Sequence, residues 1–504
     1  MPHRGLKEMA AGGVFWAAIR TWGVQFGSLL VYVVMARLLG PADFGLIAMA
    51  AVYMDAIDRL VDSGFADAIV QRKELSDGHL DSAFWTSVAL ALAGILTTFL
   101  AAPLLARVLG EPRLVHVMWG LSVIVLFTAL RSVQTGLLRR RLAFRALALR
   151  GITSVWIGGA VGIAMAFAGL GVWSLVGQQI ARECVGVLVL WATSDWRPGL
   201  RATRAHLREL WQIAAPIMGS RLLLVGQRRA SDFIIGGALG SVALGFFAVG
   251  QRIVTALTRM MVDSIAQVAF PTFARLQGDP DRLLAGYYRA MRYSALLAFP
   301  AFLGAAALAP EIVLVGLGER WAASVMVMQV LCVLGITWTA WEFNSAVLQA
   351  VGAVRIQLRL GLLGALTNLL AIVIGLRWGI EGVAVAMLVR SALFAPISTL
   401  VVRRRLGISL RQLGRATRAP LVGASAAAGV ALLASQLGAG FPAPLVLALG
   451  TAAGAAAYVT TVRLLDPGLL PEVVTLARET AGRMGRRKGS PADLDPIPPT
   501  AARE

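Results

Sequence analysis

Long apolar segments follow one another through most of the chain, and short polar connections separate them. A transmembrane helix needs about 20 apolar residues, and lipid tolerates only helices or closed barrels because every backbone polar group must be paired internally. We therefore expect an all-α polytopic membrane protein with about fourteen transmembrane helices. The predicted spans are residues 12–37, 43–70, 83–106, 114–137, 149–168, 172–192, 209–237, 241–269, 286–309, 322–350, 357–376, 380–402, 419–438 and 443–464.

Composition supports the membrane interpretation. Of 504 residues, 58% are hydrophobic and 15% charged, whereas a soluble protein has about 25% charged residues. The net charge of +20 comes from basic residues in alternate connections, a pattern typical of cytoplasmic loops. We therefore expect both termini in the cytoplasm, contact with membrane lipids, and no nucleic-acid partner.

A hinge and a polar segment lie together between Ala36 and Asp62. Gly40 suits the end of one helix, Pro41 cannot continue that helix, and Asp43 can cap the next. A related stretch begins at Leu239, where Gly240 and Gly245 match Gly40 and Gly45 at an offset of 200 residues. We interpret this as an internal repeat, a recurrent construction in transporters.

Charged residues remain inside the predicted spans after the loops are counted. Each would cost about 2.5–3.5 kcal/mol at the lipid-facing centre of a helix. Together they would cost on the order of 40–60 kcal/mol, far above the roughly 5–15 kcal/mol of net stability of a folded protein. They must line a wet interior or pair with one another.

Spacing places many of these charges on common helix faces. Arg221, Arg228 and Asp232 lie within about 20° of one helical line, and Arg252, Arg259 and Asp263 repeat the spacing. Three facing stripes, one of them on the second span, would form a cavity that favours an anionic cargo. The candidate substrate-binding residues are Arg20, Arg59, Arg221, Arg228, Arg229, Arg252, Arg259 and Arg390. The candidate gating or ion-coupling residues are Asp55, Asp58, Asp62, Asp232, Asp263 and Glu342.

Other interpretations of the charges stay open. Some would form salt bridges that fix packing within one half, including Asp55 with Arg59 at the i,i+4 spacing. Arg131, Arg182 and Glu183 lie toward predicted span ends, where side chains can snorkel to the interface. The sequence has no phosphate-binding Gly-Lys-Ser/Thr loop and no clustered histidines. We expect no enzyme activity, no cofactor and no metal site.

The hinge sequence also resembles a known family. Met35 to Gly45, Asp62 to Phe65, Ala68 to Lys73 and Ala83 to Trp85 resemble polysaccharide-transport flippases of the MOP superfamily (Wzx-type), in the colanic-acid-exporter-like or lipopolysaccharide-biosynthesis branch. The resemblance is strongest over the first 200 residues. It implies two six-helix lobes, two extra helices, a central cationic cavity and alternating access.

The resemblance further implies export of an undecaprenyl-diphosphate-linked oligosaccharide, with coupling to H⁺ or Na⁺ and a polysaccharide polymerase or assembly protein as a further partner. It predicts a lobe over 1–200, a second lobe over 201–405, added helices over 406–465 and a basic, Pro-rich cytoplasmic tail over 466–504. The alternatives are a MATE-like drug or cation antiporter, a membrane polysaccharide polymerase or glycosyltransferase, and a flippase for the peptidoglycan precursor.

Overall fold

The computed structural model describes residues 22–62, 64–438, 440–472 and 475, with the backbone alone at 223, 224, 227, 228 and 264. Every regular element in these residues is helical. The helices are α1 (Trp22–Leu38), α2 (Pro41–Asp62), α3 (Phe65–Gln71), α4 (Asp77–Val108), α5 (Leu114–Arg140), α6 (Phe144–Phe167), α7 (Val172–Thr193), α8 (Arg204–Thr258), α9 (Ser264–Arg275), α10 (Pro280–Ala307), α11 (Ala309–Gly316), α12 (Ser324–Ala350), α13 (Val354–Gly375), α14 (Gly379–Leu406), α15 (Leu410–Leu437) and α16 (Ala443–Leu465).

Both hinges expected from the repeat are present. Helix α2 begins at Pro41, and the Asp43 carboxylate in its first turn accepts a hydrogen bond from the Gly40 amide at 3.4 Å. Within α8, Gly240 has φ 84° and ψ 176°, which interrupts the helix. A side chain at that φ is disfavoured, so glycine allows α8 to consist of two segments, residues 204–239 and 241–258.

The predicted second span, 43–70, is wrong as a single helix. Helix α2 ends at Asp62 and α3 begins at Phe65, and Gly64 between them has φ 68°. Ser63 lies outside the described residues. The apolar pattern continues across this break because Phe65 and Ile69 are both fully buried, so hydrophobicity alone did not reveal it.

The chain is a multi-pass membrane protein. Within the described residues, ten helical stretches are long and apolar enough to cross a membrane by length and composition. Helix α2 and residues 204–228 of α8 fall outside this group, and both carry several charged residues. Their lengths are consistent with the fourteen predicted spans, but that count stays a prediction.

Packing divides into neighbouring groups. Helix α5 packs against α4 and α7, and α6 against α7; later in the chain α12 packs against α10 and α14, and α13 against α14. Helix α15 packs on α10, and α16 on α15. Helix α8 contacts both groups and has its most extensive contact with α2. The contact between α2 and α8 is therefore the place where charges from the two groups can meet.

The start of the predicted tail is attached to α10. Arg292 is ion-paired with Asp466 at 2.6 Å and with Glu472 at 3.5 Å, and the Tyr293 hydroxyl donates to Glu472 at 2.6 Å. The basic part of the predicted tail, from residue 476 onward, lies outside the described residues.

Candidate functional site

Two ion-paired clusters join α8 to α2 and α3. Arg221 lies 2.6 Å from the Asp62 carboxylate and 2.5 Å from that of Asp67. Arg229 lies 2.7 Å from Asp55 and 2.7 Å from Asp232. Arg221 and Asp232 of the stripe expected on α8 therefore take part in clusters that contact α2. The third member of these clusters on α8 is Arg229, which the spacing did not place on that stripe.

These two clusters lack the expected cationic excess. Arg229 pairs with two carboxylates, so its cluster has a formal charge of −1. Arg221 also pairs with two carboxylates, but Asp67 is shared with Arg139 at 3.2 Å, so that cluster is formally neutral. The side chain of Asp55 is 42% exposed, whereas that of Asp232 is 7% exposed. Asp55 is paired with Arg229, so the expected i,i+4 pair with Arg59 is wrong. Arg59 is exposed on α2.

Asp58 leaves the stripe and points toward α5. The Thr128 hydroxyl donates to its carboxylate at 2.5 Å, and Arg131 donates to the same hydroxyl at 3.3 Å. Because Asp58 is three residues from Asp55, the two side chains lie about 60° apart around α2. That offset is enough for the two carboxylates to reach different neighbouring helices.

Arg252 links the second segment of α8 to α1. It donates to the Ser28 hydroxyl at 2.8 Å, and its guanidinium lies 5.5 Å from the centre of the Tyr32 ring. Such a cation–π contact contributes about 0.5–2 kcal/mol. Unlike Arg221 and Arg229, Arg252 thus bonds to neutral groups.

The second predicted stripe on α8 is interrupted. Arg259 and Asp263 are the ends of a π-helical turn (Arg259–Asp263), which changes the angular spacing of side chains. The alignment of Arg252, Arg259 and Asp263 assumed a continuous α-helix and is therefore wrong at Asp263. Arg259 is exposed and Asp263 half-buried.

The remaining candidates lie elsewhere or outside the described side chains. Arg390 lines an apolar groove of about 780 Å³ between α13 and α14. It donates to the Gly364 carbonyl at 2.5 Å and to Thr367 at 3.0 Å, and lies over the Phe394 ring at 4.5 Å. Glu342 is half-buried on α12. Arg20 lies outside the described residues, and the Arg228 side chain is not described.

The two repeated segments, at the start of α2 and at the start of the second segment of α8, cross each other at Gly45 and Gly245. A Cβ added at Gly45 would lie 1.7 Å from the Ser241 carbonyl oxygen, and one added at Gly245 would lie 2.0 Å from the Pro41 carbonyl oxygen. Positions 41 and 45 correspond to 241 and 245 in the repeat, so the contact is reciprocal. This pseudo-symmetry supports the repeat and makes the crossing of α2 and α8 backbone-to-backbone.

Further contacts close the same end of the molecule, which we term the junction end because it carries Gly40 and Gly240. The Trp321 indole donates to the Ala36 carbonyl at 2.8 Å in a buried contact. Arg37 donates to the Gly316 carbonyl at 2.9 Å, and Ser241 donates to the Glu111 carboxylate at 2.8 Å. Segments far apart in sequence are thus held together at this end.

Sequence reasoning missed a charged cluster inside the first group of helices. The Glu183 carboxylate lies 3.4 Å from Arg131, 3.7 Å from Arg150 and 3.7 Å from Arg182. The sequence offered a signal in the adjacent Arg182 and Glu183, but their position near a predicted span end favoured snorkelling. In the part of the chain that the structure describes, no group of three or more His, Cys, Asp or Glu could hold a metal ion.

The chain is similar in sequence to a family of polysaccharide biosynthesis proteins. A sequence profile of a family described as polysaccharide biosynthesis protein matches residues 34–326. The lipopolysaccharide biosynthesis protein WzxC of Escherichia coli K12 is 26% identical over 412 residues, covering 81% of this chain and 84% of that protein. The succinoglycan biosynthesis transport protein ExoT of Rhizobium meliloti 1021 is 26% identical over 471 residues, covering 92% of this chain and 95% of that protein.

Solved structures share the fold. The lipid II flippase MurJ in an inward closed conformation matches with a TM-score of 0.71 at 12% identity, covering 91% of this chain and 100% of that one. A multidrug resistance MATE transporter of the MOP superfamily, inward-facing, matches with a TM-score of 0.60 at 16% identity, covering 78% and 98%. The resemblance drawn from the hinge sequence is confirmed.

Proposed function

We propose, from the premise that this chain belongs to the polysaccharide biosynthesis protein family, that it is a flippase for a lipid-linked oligosaccharide. Its cargo is an oligosaccharide on undecaprenyl diphosphate, carried from the cytoplasmic to the outer leaflet of the bacterial inner membrane. The product serves synthesis of an exopolysaccharide, capsule or O-antigen. The observation that carries the proposal is the set of arginines on α8 that face α1 and α2 inside a membrane protein.

Orientation follows from the basic connections. Those that begin near Arg72, Arg139, Arg201 and Arg403 lie on one side, which we assign to the cytoplasm together with both termini. The junction end then faces outward. Residues 1–200 form one lobe and 201–405 a second, 406–465 add two helices, and 466–504 form a cytoplasmic tail. The separate packing of α4–α7 and of α10–α14 supports this division.

Transport proceeds by rocking of the two lobes about the contact of α2 with α8. The contacts at the junction end keep the outward side shut. Opening that side requires the Gly45 and Gly245 crossing to separate and the Trp321 hydrogen bond to Ala36 to break. The lipid tail stays in the bilayer while the diphosphate and sugars cross between the lobes.

The charged residues divide into two roles. Arg252 and Arg259 attract the diphosphate, because the partners of Arg252 are neutral and an anion can approach it without displacing a carboxylate. Asp55, Asp62 and Asp232 hold Arg229 and Arg221 in the empty state and are the candidates for binding a coupling H⁺ or Na⁺. No covalent chemistry and no cofactor is part of this mechanism, and a polymerase or assembly protein takes up the product.

A second candidate is a cation antiporter of the kind that the MATE neighbour represents. The formal charge of −1 on the Arg229 cluster favours it. The neutral partners of Arg252 and the family membership favour the flippase.

The test uses a strain that lacks this protein and measures surface polysaccharide together with lipid-linked intermediate on the cytoplasmic leaflet. The wild-type gene should restore polysaccharide and clear the intermediate, and Arg252→Gln should fail while being produced normally. Arg404→Gln is the matched control, because Arg404 is an exposed residue in the last turn of α14. If the deletion changes neither quantity, the proposed function is wrong and drug export is measured next.

A further inference from the structure

A polar pocket of about 300 Å³ lies among α1, α5, α6 and α7. Its polar wall includes Gln25, Arg139, Arg150, Ser154, Arg182 and Glu183. Arg139 is ion-paired with Asp67 at 3.2 Å, whereas Arg150 and Arg182 share Glu183. Arg150, Arg182 and Glu183 together have a formal charge of +1, so this part of the wall has a cationic excess.

The charges in the pocket are close together but incompletely bonded. The three arginines nearest Glu183 lie 3.4–3.7 Å from it, whereas charge-assisted hydrogen bonds are about 2.7–2.9 Å long. Arg131 Nε and Glu183 Oε2 form an ion pair at 3.4 Å, and both are buried without a hydrogen-bond partner. Arg150 and Arg182, which line the pocket, likewise lie 3.7 Å from Glu183, so their donors can form shorter bonds to a ligand.

Like charges also crowd this region. Arg131, Arg139 and Arg182 all repel the Arg150 guanidinium, and Arg182 in turn repels Arg252 on α8. Such repulsion is strong where the effective dielectric constant is low. An anion in the pocket would reduce the repulsion among these arginines. Arg182 also links the pocket electrostatically to Arg252, the arginine that faces α1.

The pocket has room and a way in. Its volume is about ten times the roughly 30 Å³ that one water occupies in the liquid. Arg139 is in the last turn of α5, and Arg150 lies six residues from the start of α6, about 9 Å along the axis. Glu183 lies ten residues from the end of α7, about 15 Å deep. The side chain of Arg182 is 48% exposed and that of Arg150 19%, so neither is sealed inside the protein.

We propose that this pocket binds a phosphate or diphosphate group through Arg150 and Arg182, with Glu183 holding the arginines in the empty site. The guanidinium fork matches phosphate oxygens in pairs. The group comes either from the lipid-linked oligosaccharide, which rests on the proposed function, or from an anionic phospholipid headgroup. In the first case the pocket is a loading site on the cytoplasmic side, ahead of Arg252.

The first experiment measures binding of inorganic pyrophosphate to the purified full-length protein by calorimetry. Arg150→Gln and Arg182→Gln should each weaken binding at least tenfold, and Arg404→Gln should leave it unchanged. Size-exclusion profiles and melting temperatures establish that the variants are folded. Equal affinity in the wild type and both folded arginine variants overturns the proposal.

A second variant gives a change of opposite sign. Glu183→Gln removes the carboxylate that competes with the anion, so pyrophosphate should bind several-fold tighter even if the melting temperature falls. A glutamate that only fixes helix packing would leave the affinity unchanged or lower it. That result overturns the role of Glu183 as an internal counter-ion.

Competition distinguishes the two sources of phosphate. Displacement of pyrophosphate by undecaprenyl diphosphate but not by phosphatidylglycerol identifies the substrate, and the reverse identifies the headgroup. If neither lipid competes, the pocket is not a lipid-phosphate site and the proposal fails. The export assay in the deletion strain is independent of these binding measurements. If the wild-type protein binds pyrophosphate through Arg150 but does not restore surface polysaccharide, only the proposed function is contradicted.

Discussion

The substitution Gly45→Ala tests whether the crossing of α2 and α8 closes the outward side. The new Cβ would lie 1.7 Å from the Ser241 carbonyl oxygen, whereas real Cβ atoms essentially never approach within 3.0 Å. The helices must therefore recede by at least about 1.3 Å, the difference between these distances. The reciprocal change Gly245→Ala meets the Pro41 oxygen at 2.0 Å and demands about 1.0 Å.

The expected magnitude follows from overpacking. Forcing one methyl group into a tight contact costs about 1–3 kcal/mol, which corresponds to a shift of roughly 5–150-fold against the closed crossing. Small residues allow close approach of membrane helices, and no flexible side chain is present here to move aside. We expect polysaccharide export to fall by about fivefold or more in either variant.

The assay combines export with accessibility at the crossing. Leu39, 4% exposed beside the junction, is replaced by cysteine after Cys184 and Cys332 are changed to serine. A membrane-impermeant maleimide should label Leu39→Cys faster when Gly45→Ala or Gly245→Ala is also present, because the unchanged crossing opens outward only during transport. Gly304→Ala is the control, since a Cβ there meets nothing within 4 Å. Wild-type export and labelling in Gly45→Ala would refute the assigned role of the crossing.

Three further predictions concern the same contact. Asp62→Arg should abolish export and lower the free energy of unfolding by on the order of 1–3 kcal/mol. Adding Arg221→Asp should restore part of the export and part of the stability. If it restores neither, Asp62 and Arg221 are not a direct ion pair. Gly240→Ala should lower the melting temperature, because a φ of 84° costs an L-residue about 1–2 kcal/mol. Gly40→Ala should leave the melting temperature unchanged. Trp321→Phe should lower the free energy of unfolding by about 0.5–1.5 kcal/mol, because it removes the indole hydrogen bond to the Ala36 carbonyl on α1. An unchanged melting temperature would show that this hydrogen bond does not stabilise the protein.

The sequence predicted the features that depend on local chemistry. Gly40 with Pro41 marked one helix junction, and the repeat marked the second at Gly240, where the structure has the break. Apolar length predicted the membrane-spanning character. The α2 and α8 stripes were also predictable, because helical periodicity determines which side chains share a face.

Neighbours across helices could not be predicted in this way. Periodicity places Asp55 and Asp58 on one broad face, but only the packing shows that Asp55 reaches Arg229 while Asp58 reaches Thr128. The π-helical turn at Arg259–Asp263 breaks a spacing that assumed a regular helix. Arg150 was counted with a loop, yet α6 begins at Phe144, so the pocket around Glu183 depended on helix boundaries that hydrophobicity does not define.

The most direct test of the central claim is reconstitution of the purified protein into liposomes that contain a lipid-linked oligosaccharide in both leaflets. A sugar-modifying enzyme added outside consumes the outer-leaflet pool, and further consumption reports flipping. Our account predicts that the wild type drives consumption well beyond half and that protein-free liposomes stop near half. Gly45→Ala should pass half about fivefold or more slowly than the wild type. The liposomes are supplied with a proton or sodium gradient of either direction. If consumption with the wild type still stops near half, the flippase assignment is contradicted.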